Sequence, residues 1–449
     1  MKTMRISLKN FSLAIGLIGC AQLNAQYLLS PNSIKYPLST EMPNSVINTD
    51  ESSSLEGYVK GSVWGAGKKF DYANMFSEFG LKGEATKGFT EGYGFVKADL
   101  RVRNGEFYNE NKTEIDVRDL YAGFKNDDVQ ISLGNQNVQW GRGIGGNPTN
   151  NLSPSNGFLL TTDGDDQKMY NFMLNTKYNI NSNLALEVIG IPVYKMNISR
   201  MDLLNIPVGV GEDVIPNKTF KNGAFATRLN LNGGPLGASI SYFNGYSATP
   251  GINTGYIPAT GPFAFNQSFK KQVLGADFMW RFPGGEKSGK AHDPRGDLMV
   301  AAEVGYSKIE KIEGESFVPK SNLEFSFGLI KEFWDAKKLD KFAVVVGYDG
   351  KYTSDYKDAG DDIEGLLAQQ MFGQYAKYVQ KVTGVFMKTL MNQKLNLTLV
   401  TSYGITPQPD NNTKGHSYLI YPQMTWNMTN DLHLSAGYFN LGGAGSNVV

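Results

Sequence analysis

The sequence predicts an all-β protein, an antiparallel up-and-down transmembrane β-barrel of about 16–18 strands. Three observations lead there. The first is the strict alternation of Lys97-Ala98-Asp99-Leu100-Arg101-Val102-Arg103, with every odd position charged and every even one apolar. Successive side chains of a strand point to opposite faces, so this segment has one charged and one apolar face. A soluble sandwich would turn the charged face to bulk water; a barrel in a bilayer turns the apolar face to lipid and the charged face to its lumen. The second is composition: aromatic residues are 12% of the chain, with 51 Gly, 23 Tyr and 26 Phe among 449 residues. That mix suits strands with interfacial aromatic girdles and tight turns. The mean hydropathy of −0.31 fits strands that are half polar. The third is the strand count, about seventeen, where a soluble sandwich rarely needs more than about ten.

Residues 1–25 read as a secretory signal, with Lys2, Arg5 and Lys9 as the basic region, Phe11 to Gly19 as the apolar core and Leu23-Asn24-Ala25 before the cut. That core is too short for a spanning helix, which needs about 20 residues. Membrane integration then falls to a closed barrel, the other structure that satisfies its backbone in lipid. Cys20 is the single cysteine and lies in the signal, so a chain cut after Ala25 has no thiol, disulfide or thiolate metal site. Leu17-Ile18-Gly19-Cys20 also resembles a lipoprotein cleavage box, a weaker candidate than Ala25-Gln26. Losing three bases from 43 leaves 40 against 43 acids. Near neutrality argues against a nucleic-acid partner.

Residues 26–54, rich in Ser, Asn and Pro, read as a flexible periplasmic lead-in, and residues 55–449 as the barrel. Short hairpin turns are expected at Lys125-Asn126-Asp127-Asp128, Asn179-Ile180-Asn181-Ser182-Asn183, Asn232-Gly233-Gly234-Pro235, Met391-Asn392-Gln393-Lys394 and Met428-Thr429-Asn430-Asp431. Long loops are expected at about 137–167, 195–218, 247–267, 351–378 and 405–415. Short turns on one side and long loops on the other are the sidedness of bacterial barrels. Trp280, Phe282, Phe342 and Trp426 fall at short-turn ends, where a girdle is expected.

Some positions break the pattern. Pro192 and Pro422 lack a ladder donor, so strand ends or bulges are expected there. Asp119 would face lipid if the phase of Ile115 and Val117 continued, which predicts a bulge near Arg118. Residues 363–375 suit either a loop or a short helix. Leu432 to Asn440 runs outward by parity, and barrels of this type have even strand numbers. The sequence therefore reads as one strand short of closure, unless the count is off by one.

Arg118-Asp119-Leu120-Tyr121, Gly134-Asn135-Gln136, Trp140-Gly141-Arg142 and Asn147-Pro148-Thr149-Asn150-Asn151-Leu152-Ser153-Pro154 form a pattern over about forty residues. It resembles porin-like outer-membrane barrels of Gram-negative bacteria related to alginate-export and uncharacterised porins. The signal resembles those of Bacteroidota. Asn150 departs from that pattern, where an acid is usual. The resemblance implies an outer-membrane diffusion or export channel for small polar solutes. Read from its residues alone, the Gly- and Pro-rich segment is a loop at the barrel mouth. It could fold inward as a constriction, with Trp140 as wall, Arg142 as charge and Asn147 at its turn, or simply pack on the rim.

The candidate pore-lining residues are Lys97, Asp99, Arg101 and Arg103 on one strand and Glu114, Asp116 and Arg118 on the next. Arg228, Asp277, Arg281 and Glu303 join them on later strands. Charge at mid-bilayer on a lipid face costs about 2–4 kcal/mol for Lys or Arg, so these groups must face water. Facing ladders of opposite sign would set a transverse field on a permeating solute; alternatively the charges neutralise one another and stiffen the wall. His292, His416 and His433 lie on separate segments and no hydrolase, zinc-protease or P-loop motif occurs, so no enzyme is expected. Asp163, Asp165 and Asp166, and a second group from Asp355 to Glu364, could hold calcium, but solvated loop acids are the expectation. No cofactor and no metal is expected. Lipid and small polar solutes are the partners expected, with a second copy of the chain as a further possibility.

Overall fold

A computed structural model describes residues 51–66, 72–107, 110–159, 161–198, 209–258, 261–282, 297–310, 317–335, 340–357, 362, 365, 368–369, 371–407 and 414–444. The signal, Cys20, nearly all of the lead-in and His292 lie outside them. The strands are β1 (Ser52–Ala66), β2 (Tyr72–Phe89), β3 (Gly92–Phe107), β4 (Glu110–Lys125), β5 (Val129–Gln136), β6 (Asn171–Asn179) and β7 (Leu184–Ile191). They continue as β8 (Gly209–Val210), β9 (Ala224–Gly233), β10 (Leu236–Tyr246), β11 (Gly251–Ile257), β12 (Gly261–Gln267), β13 (Lys270–Phe282) and β14 (Leu298–Ile309). The last are β15 (Asn322–Asp335), β16 (Asp340–Thr353), β17 (Tyr378–Leu390), β18 (Leu395–Pro407), β19 (Lys414–Asn427), β20 (His433–Gly437) and β21 (Asn440–Ala444).

Eighteen of these segments form one antiparallel up-and-down sheet in chain order, while β8, β11 and β12 make a separate small sheet in the outer connections. The first strand begins at Ser52, three residues before the boundary the composition suggested. The sheet curls until its ends meet. Trp64 of β1 lies 5.6 Å from Phe439, beside the last strand segment. Lys60 of β1 and Gln423 of β19 both reach the segment Thr162–Asp166. Among the described residues no ladder joins β1 to β20 or β21.

Local chemistry accounts for the short turns. The Asn126 side-chain oxygen accepts from the backbone N–H groups of Asp128 and Val129, at 3.1 and 2.7 Å. That of Asn181 accepts from Asn183 and Leu184, both at 2.9 Å. These bonds mimic a backbone turn and set each hairpin without a long connection.

The broken phases resolve as the residue pattern predicts. Asp99 faces both Arg118 and Asp119, because the register moves from Ala98–Leu120 to Leu100–Val117. This bulge returns Leu120 to the lipid side. β7 ends at Ile191, before Pro192. Pro422 lies within β19, and its neighbour is interrupted there: β20 ends opposite Gln423 and β21 starts opposite Ile420. Proline has no N–H to donate, so the ladder lapses beside it. β20 and β21 are therefore two pieces of one strand position.

The outer face is apolar. Val59, Ile115, Leu274 and Ile240 all leave most of their side chains outside, and Trp280, Phe282, Phe342 and Trp426 sit at the short-turn ends. Such a belt is stable against lipid and not against water. Inside, the wall divides. From β13 to β19 the inward residues near the short turns include Met279, Met299, Ile330, Val345, Met387 and Tyr421, packed together with Ile144. From β2 to β10 the inward residues include the charged and amide groups Glu78, Arg101, Arg103, Arg118, Glu187 and Asn230, beside a second apolar cluster with Met173, Ile189 and Phe243.

Candidate functional site

The segment between β5 and β6, residues 137–170, enters the barrel and touches walls far apart. From β3 to β14 the sheet order passes β4, β5, β6, β7, β9, β10 and β13, so the two strands are eight positions apart. A segment held by both must cross the lumen.

Trp140 roots the loop. It is buried with Leu152, Met173, Ile189, Phe243 and Val273, and its indole N–H donates to Glu187 Oε2 at 3.1 Å. The Arg228 guanidinium lies 5.0 Å from the indole centroid and donates to the same oxygen at 2.8 Å. Trp140 is thus an anchor, 1% exposed, and not the pore wall that its aromatic character suggested. Fully buried indoles find an acceptor, and Glu187 supplies it.

Acidic wall residues hold the next stretch. Arg142 pairs with Asp277. Glu303 accepts from Gly143 N at 2.6 Å, from Thr149 N at 2.8 Å and from Thr149 Oγ1 at 2.8 Å. Asp349 accepts from Gly146 N at 2.7 Å. Gly141 and Gly145 adopt φ of 93° and 98°, and a Cβ there would stand 2.4 Å from the Glu303 carboxylate and 2.6 Å from that of Asp349. Glycine is required at both for conformation and for closeness. Asn147 receives Asn150 N at 3.2 Å in the turn that presents Thr149, and its own side-chain oxygen has no partner.

The far end carries the opposite sign. Asp165 and Asp166, in a 3-10 turn over Gly164–Gln167, accept from Arg101 at 3.3 and 3.0 Å. Asp166 also pairs with Lys60. Arg118 donates to the Asp165 carbonyl at 2.6 Å, to its carboxylate at 3.0 Å and to the Tyr170 hydroxyl at 2.7 Å. Burial alone would raise the Asp165 carboxyl, but Arg118, Lys168 and Arg101 outweigh it and hold the group well below the usual carboxylate range. Asp166 is buried and Asp163 and Asp165 are partly exposed, and Lys60, Arg101 and Arg118 face Asp165 and Asp166.

The remaining candidates are paired along the wall. Asp99 accepts two bonds from Arg101 at 3.3 Å, and Arg103 donates to Glu78 at 2.5 and 2.8 Å. Lys97 pairs with Glu84 at 3.3 Å, Glu114 with Lys112 at 2.5 Å and Arg281 with Asp297 at 3.7 Å. Asp116 stands opposite Arg101 in the register. The structure thus gathers Arg101 and Arg118 at one end of the loop, Asp277 and Glu303 at the other and Arg228 at its root. Glu78, Glu187, Asp349 and Lys177 were missed by sequence reasoning. Glu78 and Glu187 had a legible signal, since alternation around Phe79 and Val188 turns both inward.

Beneath the loop, on the short-turn side, lies a cavity of about 320 Å³ lined by Gln130, Arg142, Asn175, Lys177, Glu187 and Arg228.

No family model matches the chain, and no curated protein matches it. Solved structures do. The chain is similar to OccAB1 of Acinetobacter baumannii, with a TM-score of 0.52, 11% identity and coverage of 91% of this chain and 94% of that one. It is similar to OccK5 (OpdH) of Pseudomonas aeruginosa, with a TM-score of 0.51, 10% identity and coverage of 88% and 93%. Both are outer-membrane porins. This chain shares their fold, an antiparallel up-and-down β-barrel. At such identity the likeness is one of fold, and the loop's ion pairs belong to this chain's own residues.

Proposed function

We propose that the protein is a passive diffusion channel for small polar or charged solutes, narrowed by residues 137–170. The observation that carries this is the loop's bridging of opposite walls, from Arg101 and Arg118 to Glu303 and Asp349. A porin fold supports diffusion as the general task, and the barrel gives solutes no route except its interior. Beside the apolar cluster from β13 to β19, the cavity lined by Gln130, Arg142, Lys177, Glu187 and Arg228 offers water and solute a polar path.

The inward charges act first as loop anchors and only through their residual imbalance as a selectivity field. The motif from Arg118 to Pro154 supports kinship with alginate-export-like and uncharacterised porins of Bacteroidota. Residues of that motif, Trp140, Arg142, Gly143 and Thr149, are also the ones that fasten the loop.

Single-channel recording of the full-length protein in a planar bilayer tests the reading. Steady conductance steps are expected. Silence from demonstrably folded protein would overturn it in favour of a plugged barrel serving as an envelope scaffold.

A further inference from the structure

The outward face carries charge where its lipid belt ends. On β10, β13 and β14 the even-numbered residues point outward, in rows set by the register. Ile240–Ala276–Val304 is followed, toward the long loops, by Tyr242–Leu274–Tyr306. The next row is Asn244–Gln272–Lys308, all exposed, and Tyr246 pairs with Lys270 in the row beyond. Two residues of a strand rise about 7 Å, so apolar side chains give way to amides and ammonium groups within one such step. The boundary between hydrocarbon and headgroups falls there.

Lys270 and Lys308 are diagonal neighbours on paired strands, so two long side chains can reach one ligand. Lys270 lies over the Tyr246 ring at 5.2 Å, and among the described residues neither ammonium group has an ion pair. Glu310, the acid next to them, gives its backbone N–H to the Lys270 carbonyl at 3.0 Å and is exposed and unpaired too. Two cations against one acid leave the patch positive. The same rim continues to β9. Phe220, 90% exposed, opens the 3-10 turn Phe220–Asn222, and the following Gly223 sits tightly against Ile191 of β7. Lys218 and Lys221 flank the ring, both exposed and without an ion pair among the described residues. A bare phenyl ring between cations gains nothing in water and suits the level where acyl chains meet headgroups.

We propose that this rim, from Phe220 to Lys308, is a binding site for a phosphate-bearing lipid of the outer leaflet. Lys270 and Lys308 hold one phosphate between them, and the amides of Asn244 and Gln272 donate to headgroup oxygens beside it. The acyl chains lie on Tyr242, Leu274 and Ile240 below. Phe220 enters at the edge of the same headgroup layer, and Lys218 and Lys221 meet further anionic groups there. Ammonium groups at the end of an apolar face snorkel to the headgroups, and an anion supplies the partners they lack. Continuity with the lipid belt argues for a lipid over a second protein. The site depends on the outer face of the barrel and not on what passes through its lumen.

The test uses full-length protein in detergent, with bisphosphorylated lipid A as the probe and its dephosphorylated form as the neutral match. Native mass spectrometry is expected to show lipid A retained by the parent protein. Retention should weaken by about tenfold or more in Lys270→Gln with Lys308→Gln and be kept in Lys270→Arg with Lys308→Arg. Phe220→Ser should weaken it less, and the dephosphorylated form should be held poorly throughout. All four positions are on the surface, so the variants should fold, which an unchanged melting temperature checks. Equal retention by the parent and the double glutamine variant, or of both lipid forms by the parent, would overturn the site. Displacement of lipid A by an equal concentration of inorganic phosphate would overturn the lipid as its ligand. A dimer of the parent that holds no lipid and separates in the double glutamine variant would overturn it in favour of a second copy of the chain.

Discussion

Replacing Glu303 by alanine should release the middle of the crossing loop. Its carboxylate accepts three hydrogen bonds from that loop, from Gly143 N, Thr149 N and Thr149 Oγ1 at 2.6–2.8 Å. Hydrogen bonds to a charged group contribute about 1.5–3 kcal/mol each, so three bound the effect at roughly 9 kcal/mol. They are not independent, and lumen water can take over part of each, which brings the expected loss to about 3 kcal/mol. That corresponds to roughly a hundredfold rise in the open population of the segment. Arg142–Asp277 and Gly146–Asp349 remain, so the segment should loosen and not leave the barrel. Hydrogen exchange resolves the amides directly: those of Gly143 and Thr149 should exchange roughly a hundredfold faster, while β14 keeps its ladder with β13 and β15. Single-channel conductance should rise together with the exchange rate. Glu303→Gln, which retains one acceptor oxygen, should fall between. Unchanged exchange at both amides in a folded Glu303→Ala barrel would refute the assignment of Glu303 as the loop's main anchor.

Other perturbations follow from the same clamp. Arg101→Ala with Arg103→Ala leaves Glu78, Asp99 and Asp166 with fewer counter-charges, so reversal potentials in a salt gradient should move toward cations; an unchanged potential would remove these residues from selectivity. Trp140→Ala opens a cavity in the loop's root and removes one of the donors on the Glu187 oxygen, a loss of about 3–5 kcal/mol, read as a lower melting temperature and faster proteolysis within 137–170. The Asp165 carboxyl is held low by its cations despite burial. Its clamp is therefore at full strength above the ordinary carboxylate range and is lost only as pH falls through the depressed folded value, below about pH 4. The change in conductance that sets in below about pH 4 should be lost in Asp165→Asn.

The sequence by itself determined the wall. Side-chain alternation is a property of neighbouring residues, so Lys97 to Arg103 announces which groups face inward whatever the rest of the chain does. The same local logic exposed the bulge at Arg118, where two charged residues break the phase of Ile115 and Val117. It also marked the short turns, whose Asn side chains bond their own backbone, and the lapse beside Pro422.

What each inward charge touches was decided only by tertiary structure. Arg101 meets Asp166 and Glu303 meets Thr149 across 65 and 154 residues, and no local periodicity encodes such pairs. The decisive event is one loop crossing the lumen, which turned an apparent ladder of free charges into anchors and made Trp140 a buried root. Lys177 escaped notice for a related reason. In Asn171 to Tyr178 the inward set mixes Met173 with Asn175, so the strand looks undistinguished. Its ammonium became conspicuous only when Arg228, brought alongside by the β7–β9 pairing, took the carboxylate opposite it.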